Sequence, residues 1–256
     1  MAALHIETFG RGSDLVLLHG WAMHGGIWSS VRDLLAQHGR VHLVDLPGHG
    51  LSPMCEPGTL DHLVEIVADC LPEQCMIGGW SLGGQIAMQL ALRQPERIKK
   101  LVLISTTPCF AWQDDWTFGM DRKLLQLFLE NLKLNYATTI NRFLTLQMSG
   151  DRDASKILSQ LRKNFFQRAE PDPAALEKGL RILQQSDLRR CIGDIRQPVL
   201  IMHGDNDVIT HPAAADWMHR QLPQSQYVKF DRCGHAPFLS YPEQFVMHLN
   251  DFRTNS

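Results

Sequence analysis

The stretch Gly79-Trp80-Ser81-Leu82-Gly83 constrains this chain more than any other. Residues 76–79 ahead of it read as a short buried strand. From Gly84 a helical apolar pattern begins, with Ile86, Leu90 and Ala91 on one face. A serine between strand and helix, with glycine two residues before and two after, predicts a corner too tight for larger flanking side chains. Such a corner holds Ser81 Oγ exposed above the C-terminal edge of a sheet. It also aims the Leu82 N–H at the place where an oxyanion would form. Ser81 is therefore a candidate nucleophile, set against the plainer reading of a tight turn with a capping serine.

The surrounding pattern predicts where that corner sits. Residues 4–8 and 15–18 read as strands, the second a continuous apolar run of the kind covered on both faces. It ends in His19-Gly20-Trp21, where the Trp21 N–H would supply a second oxyanion donor and His19 would pin the loop. A helix is expected over 27–37, a strand over 41–45, a helix over 59–71 and a strand over 100–105. This alternation predicts a parallel sheet with covering helices. Residues 45–52 form a turn-rich loop that lacks the lysine and spacing of a phosphate-binding loop.

After Thr107 the strand signal stops. Residues 122–134, 136–148, 153–168 and 173–185 read as helices, so residues 108–187 are expected to form an all-helical lid. It would be inserted into a core made of 1–107 and 188–256. The sheet resumes at Pro198, 225–230 gives the last strand, and 241–252 a closing amphipathic helix.

A serine hydroxyl needs an adjacent base, and that base needs a partner that fixes its tautomer. His235 follows the last strand in Cys233-Gly-His-Ala-Pro237, and His203-Gly-Asp-Asn-Asp207 follows the strand before it. Asp207 is preferred as the acid because two residues separate it from Gly204, giving the loop room to turn back; Asp205 stays open as the alternative. The order Ser81, Asp207, His235 is that of the α/β-hydrolase fold. With Trp21 and Leu82 as oxyanion donors, this set predicts ester hydrolysis through an acyl-enzyme. Serine at the corner argues against haloalkane or epoxide chemistry, which would want aspartate there.

Composition narrows the class. Apolar residues make up 44% and charged residues 20% of 256, and the net charge of −2 argues against a nucleic-acid binder. No run approaches the roughly 18 apolar residues of a membrane span. The N-terminus carries neither a basic n-region nor a long apolar stretch, so no export signal is expected. The six cysteines show no metal-binding spacing and read as thiols in a reducing cytoplasm. A cytoplasmic monomer without metal or cofactor is expected.

Five stretches, 17–28, 43–48, 79–84, 105–110 and 234–238, resemble the biotin-pathway carboxylesterases, with 142–147 in the lid a more particular match. Those enzymes hydrolyse the methyl ester of pimeloyl-[acyl-carrier protein]. The resemblance implies that Trp21, Ser81, Leu82, Phe143, Leu144, Thr145, Leu146, Gln147 and His235 contact substrate, with Phe143 and Leu146 against the acyl chain. It also implies lid bases that grip an acidic acyl carrier protein, for which Arg142, Arg152 and Lys156 are candidates. Thr138, Ser155 and Ser159 stand roughly where family members carry arginine. Between residues 122 and 168 nine bases face three acids, a net +6 that would steer an acidic partner. Phe110, Trp112, Trp116 and Phe118 are expected to wall an apolar channel. A general short-acyl esterase, a carbon–carbon bond hydrolase and a non-catalytic hydrolase-fold receptor are the competing readings.

Overall fold

The computed structural model describes residues 3–55, 58–166, 168 and 170–254. Its seven strands are β1 (Ile6–Phe9), β2 (Asp14–Leu18), β3 (Arg40–Val44), β4 (Cys75–Trp80), β5 (Ile98–Ile104), β6 (Val199–Gly204) and β7 (Ser225–Phe230). They form one sheet in the order β1-β3-β2-β4-β5-β6-β7. Every pairing is parallel except β1 with β3. The fully buried strands β4 and β6 lack the alternation of a half-exposed sheet because helices cover both faces.

The chain places β3 on one side of β2 and then crosses to put β4 on the other. The loops after β2 and β4 therefore leave the sheet at its switch point, where a crevice opens outside the strand ends. They carry His19-Gly20-Trp21 and Ser81 respectively. An added Cβ at Gly20 would stand 3.2 Å from Ser81 Cβ, a measure of how closely the two loops meet.

The helices are α1 (Ser29–Ala36), α2 (Leu60–Ala68), α3 (Leu82–Arg93), α4 (Arg122–Leu134), α5 (Tyr136–Gln147), α6 (Ala154–Phe165), α7 (Pro173–Gln185), α8 (Pro212–Gln221), α9 (Pro237–Ser240) and α10 (Pro242–Thr254). Helices α4–α7 lie between β5 and β6 in the chain. Starts are marked by side chains: Asp121 and Asp172 accept from the N–H groups of Lys123 and Ala174, and Pro173 occupies the first turn of α7. Two differences from the sequence reading stand out. Helix α8 was missed because its Ala213-Ala-Ala run shows no apolar stripe, and its cap is His211 Nδ1, an unusual capping group. Helix α6 ends at Phe165 rather than 168. No described helix is long and apolar enough to cross a membrane.

Candidate active site

Ser81 occupies the corner between β4 and α3 with φ 55° and ψ −116°, a region that an L side chain enters only under constraint. The constraint is visible. Ser81 N–H donates to Ile104 O (3.0 Å), while its carbonyl accepts from Gly84 N–H (2.9 Å) and Thr106 Oγ1 (2.7 Å). The flanking glycines are obligatory: a Cβ on Gly79 would lie 2.1 Å from Gly83 O, and one on Gly83 2.5 Å from Leu18 O. Ala22, beside Trp21, also takes a positive φ, 64°. Among the described residues neither the Trp21 nor the Leu82 N–H donates to a protein acceptor, so both remain available to a ligand.

His235 Nδ1 lies 2.8 Å from Asp207 Oδ2, and both residues are buried. Asp207 is fixed in turn by three donors: Ile209 N–H (2.8 Å) and Thr210 N–H (3.0 Å) to Oδ1, and Thr210 Oγ1 (2.7 Å) to Oδ2. His203 Nε2 stands 3.3 Å from the same Oδ2 and 2.8 Å from Thr210 O. Burial alone would raise the Asp207 carboxyl. The opposing charge of His235 and the hydrogen bonds from His203 and His235 outweigh it and hold the group far below the usual carboxylate range. With Nδ1 committed to a carboxylate, the neutral imidazole leaves Nε2 as a bare acceptor, and that atom is buried with no protein partner among the described residues. Asp205 does not share this role; its Oδ1 accepts from Cys233 N–H at 3.2 Å.

The His235 backbone is held from two sides. Its carbonyl accepts from Trp80 Nε1 (2.8 Å) in the corner strand, and its N–H donates to Gln147 O (2.8 Å) at the end of α5. His19 is wholly buried and joins the β2 and β3 loops, with Nε2 accepting from Leu46 N–H (2.9 Å) and Nδ1 2.8 Å from Gly20 O. Burial, then the neighbouring His49, lowers its pKa to about 3, so it is a neutral structural pin.

An apolar cavity of about 70 Å³ reaches Ser81 between the sheet and the helical insertion. Its walls are Trp21, Phe110, Met120, Leu125, Phe128, Phe143, Leu146, Leu180, Leu183 and Ile209, and Ser81 is the one hydroxyl among its lining residues. Trp21 organises them: its Nε1 donates to Leu176 O (2.8 Å), and its ring meets Phe143 (4.9 Å) and Phe128 (5.6 Å) edge-on. Gly179 permits this approach, since a Cβ there would be 2.9 Å from the indole.

The helical period divides the 143–147 stretch. Phe143 and Leu146 face the cavity, whereas Leu144 and Gln147 are fully buried in packing on another face. Thr145 is exposed, with its hydroxyl donating to Asn141 O. Of the four aromatics expected in a channel, only Phe110 lines it. Residues 109–120 fold back through bridges Ala111↔Met120 and Gln113↔Trp116, which turns Trp116 and Phe118 away toward Trp217 of α8 and leaves Trp112 partly exposed. Met120, Phe128, Leu180, Leu183 and Ile209 were not singled out from the sequence; Leu125/Phe128 and Leu180/Leu183 repeat at i,i+3, a signal shared with any amphipathic helix. Arg142, Arg152 and Lys156 are exposed. Arg168 is not: it pairs with Asp45 and Glu7, which removes it from the expected basic surface.

The model of the alpha/beta hydrolase fold matches residues 15–242. The chain is 54% identical over 246 residues to the pimeloyl-[acyl-carrier protein] methyl ester esterase of Nitrosomonas europaea, covering 96% of this chain and 98% of that one. It is 50% identical over 257 residues to the enzyme of the same name from Nitrosospira multiformis, covering 98% of each. Among solved structures it is similar to an esterase from Exiguobacterium antarcticum, with a TM-score of 0.89 at 22% identity over the full length of both chains. By the family match, the close relatives and the shared sheet, the chain belongs to the α/β-hydrolase fold family and, within it, to the pimeloyl-[acyl-carrier protein] methyl ester esterases.

Proposed function

We propose that this protein is a serine carboxylesterase that hydrolyses the methyl ester of pimeloyl-[acyl-carrier protein] to methanol and the free acid, a step of biotin synthesis in the cytoplasm. The observation that carries the reading is a buried histidine, His235, joined to Asp207 with an Nε2 that has no partner among the described residues, together with Ser81 as the one hydroxyl lining an apolar cavity. A straight methylene chain suits those walls, with the methyl ester carbonyl as the polar group that has to meet Ser81.

In the proposed reaction, Ser81 Oγ attacks the ester carbonyl while His235 Nε2 takes its proton. The N–H groups of Trp21 and Leu82 receive the tetrahedral oxyanion. Collapse breaks the bond to methoxide, which leaves as methanol with the proton from His235. Water then gives a proton to the same nitrogen and attacks the acyl-enzyme, and Ser81 departs with that proton. Asp207 orients the imidazole and stabilises its cationic form. Residues 108–187 act as a lid over the acyl chain, and no metal or cofactor takes part.

The carrier protein docks on the exposed bases of the lid, Arg142, Arg152 and Lys156. The reading is tested by comparing kcat/KM for pimeloyl-[acyl-carrier protein] methyl ester, dimethyl pimelate and short p-nitrophenyl esters at low and high salt. A large preference for the carrier-bound ester that salt erodes is expected. Equal activity on all of them would leave a general short-acyl esterase.

A further inference from the structure

The turn of the insertion between α5 and α6 is fastened to both loops that carry the acid–base pair. Gln147 O accepts from His235 N–H (2.8 Å), Arg152 N–H donates to Arg232 O (3.0 Å), and Gly150 O accepts from Asn206 Nδ2 (2.9 Å). Arg232 is itself held at a positive φ of 51°, three residues before the base. At the centre of this turn lies Asp151, a buried carboxylate with no part in the proposed reaction.

Asp151 touches the base's loop on both sides of His235. Oδ1 accepts from Ser240 Oγ (2.7 Å), on the short helix α9 that follows the base. Oδ2, which accepts no hydrogen bond among the described residues, packs against Gly234, the residue before it: a Cβ on Gly234 would be 2.8 Å from Oδ2 and 2.6 Å from Gln147 O. Burial of a carboxylate costs free energy that a solvent-exposed turn would not incur. Here burial raises the Asp151 carboxyl, with Asp207 and Asp153 adding to the rise, while the hydrogen bond from Ser240 opposes it. A mere turn-former has no need of that expense.

We propose that Asp151 is a positioning residue for His235, holding the loop after the base by the hydrogen bond from Ser240 and the loop before it by packing against Gly234, and so tying it to helix α5. The same helix presents Phe143 and Leu146 to the cavity, so the element that meets the acyl chain also holds the base. The effect belongs in turnover, because neither Asp151 nor Ser240 lines the cavity. This inference rests on His235 being the general base.

The test measures kcat and KM on p-nitrophenyl butyrate for Asp151→Ala, Asp151→Asn, Ser240→Ala and the Asp151→Ala/Ser240→Ala double variant. Active sites are counted by the p-nitrophenol burst with diethyl p-nitrophenyl phosphate, so that misfolded protein is removed from kcat. Asp151→Ala is expected to lower kcat per site about 10-fold with KM within twofold, and Ser240→Ala several-fold. Asp151→Asn, whose Oδ1 still accepts from Ser240, should keep most of the wild-type kcat, and the double variant should be no worse than Asp151→Ala. Wild-type kcat per site in Asp151→Ala and Ser240→Ala overturns the inference, as does an Asn variant as poor as Ala. If Asp151→Ala is insoluble, Ser240→Ala and Asp151→Asn decide. His235→Ala and Asp207→Ala are measured alongside: their inactivity with unaffected Asp151 and Ser240 variants sinks this inference alone, whereas their full activity sinks the triad reading and this one with it.

Discussion

Arg168 and Asp45 form an ion pair across the boundary between the helical insertion and the sheet. The Asp45 side chain is fully buried, and it also accepts from Gly25 N–H and Leu51 N–H, so one carboxylate fastens the loops after β2 and β3 to the insertion. Removing the guanidinium would leave a buried charge short of its counter-ion, at a cost of about 3 kcal/mol. Arg168→Met should therefore lower the urea-unfolding free energy by that order. A loss under ~1 kcal/mol, the size of a surface pair, would mean that the amide donors alone satisfy Asp45.

Acid should destabilise the fold well before the carboxylates titrate. Burial lowers His19 to about 3 and His49 to about 4 in the folded chain, against about 6.5 when unfolded. A depressed histidine binds its proton mainly in the unfolded state, so its stabilising contribution is complete above pH 6.5 and is lost as pH falls toward the folded value. Each such group contributes up to about 1.4 kcal/mol per pH unit as the unfolded histidine protonates. His19 and His49 together give a slope of about 2–2.5 kcal/mol per unit between pH 6 and 5, to which His24, lowered by burial and by Arg168, adds in the same direction. Urea melts at half-unit steps, with His49→Gln as the control, check this. A profile flat from pH 6.5 to 4.5 contradicts it, and His49→Gln should reduce the slope by one group's share, roughly 1 kcal/mol per pH unit.

The strand–serine–helix corner, the Gly20-Trp21 loop and the Ser81, Asp207, His235 order were legible because each depends on local chemistry with few alternatives. Glycine at 79 and 83 is forced by contacts under 3 Å, and that necessity is written into the sequence. The cavity wall was less legible. Which of residues 143–147 face inward depends on how α5 lies on the sheet, and the sequence carries its period but not its rotation. Trp116 and Phe118 looked like channel residues by type alone; the fold-back at 111–120 sent them to α8 instead. Asp151 left no mark at all, since its significance lies in Ser240 and Gly234, more than 80 residues further on.

Loss of the proposed nucleophile and loss of the proposed acid should differ in kind. Ser81→Ala is expected to abolish turnover on every ester while leaving the urea transition intact, because alanine keeps the Cβ at the positive-φ corner. Asp207→Asn should lower kcat by about 10³-fold or more by favouring the wrong imidazole tautomer. Burst titration and steady-state rates on p-nitrophenyl butyrate separate the two. Retained turnover in Ser81→Ala would move the nucleophile elsewhere.

Acyl-chain selectivity should reside in the Trp21–Phe143 contact. Phe143→Ala removes an edge-on ring at 4.9 Å from Trp21 and opens the wall beside Leu146. A loss of about 1.4 kcal/mol, typical for an aromatic contact, corresponds to a 10-fold fall in kcat/KM for dimethyl pimelate. Methyl acetate, too short to reach the ring, should be hydrolysed at the wild-type rate. An equal fall on both esters would place Phe143 in lid packing rather than substrate contact.

The basic face of the lid makes the last distinction. Arg168 is engaged by Asp45 and Glu7 and Lys133 is paired with Glu177, so the proposed docking of an acidic carrier is tested on two exposed bases, Arg142 of α5 and Lys156 of α6. Reversing two of them, Arg142→Glu with Lys156→Glu, should cut kcat/KM for the carrier-bound ester at least ~30-fold at low ionic strength. The deficit should shrink as salt rises, because charges more than about 8–10 Å apart are screened near physiological strength. Dimethyl pimelate carries no such partner and should react at the wild-type rate throughout. If the reversal slows both esters alike, the two side chains support the lid itself; if it slows neither, the carrier approaches from another face.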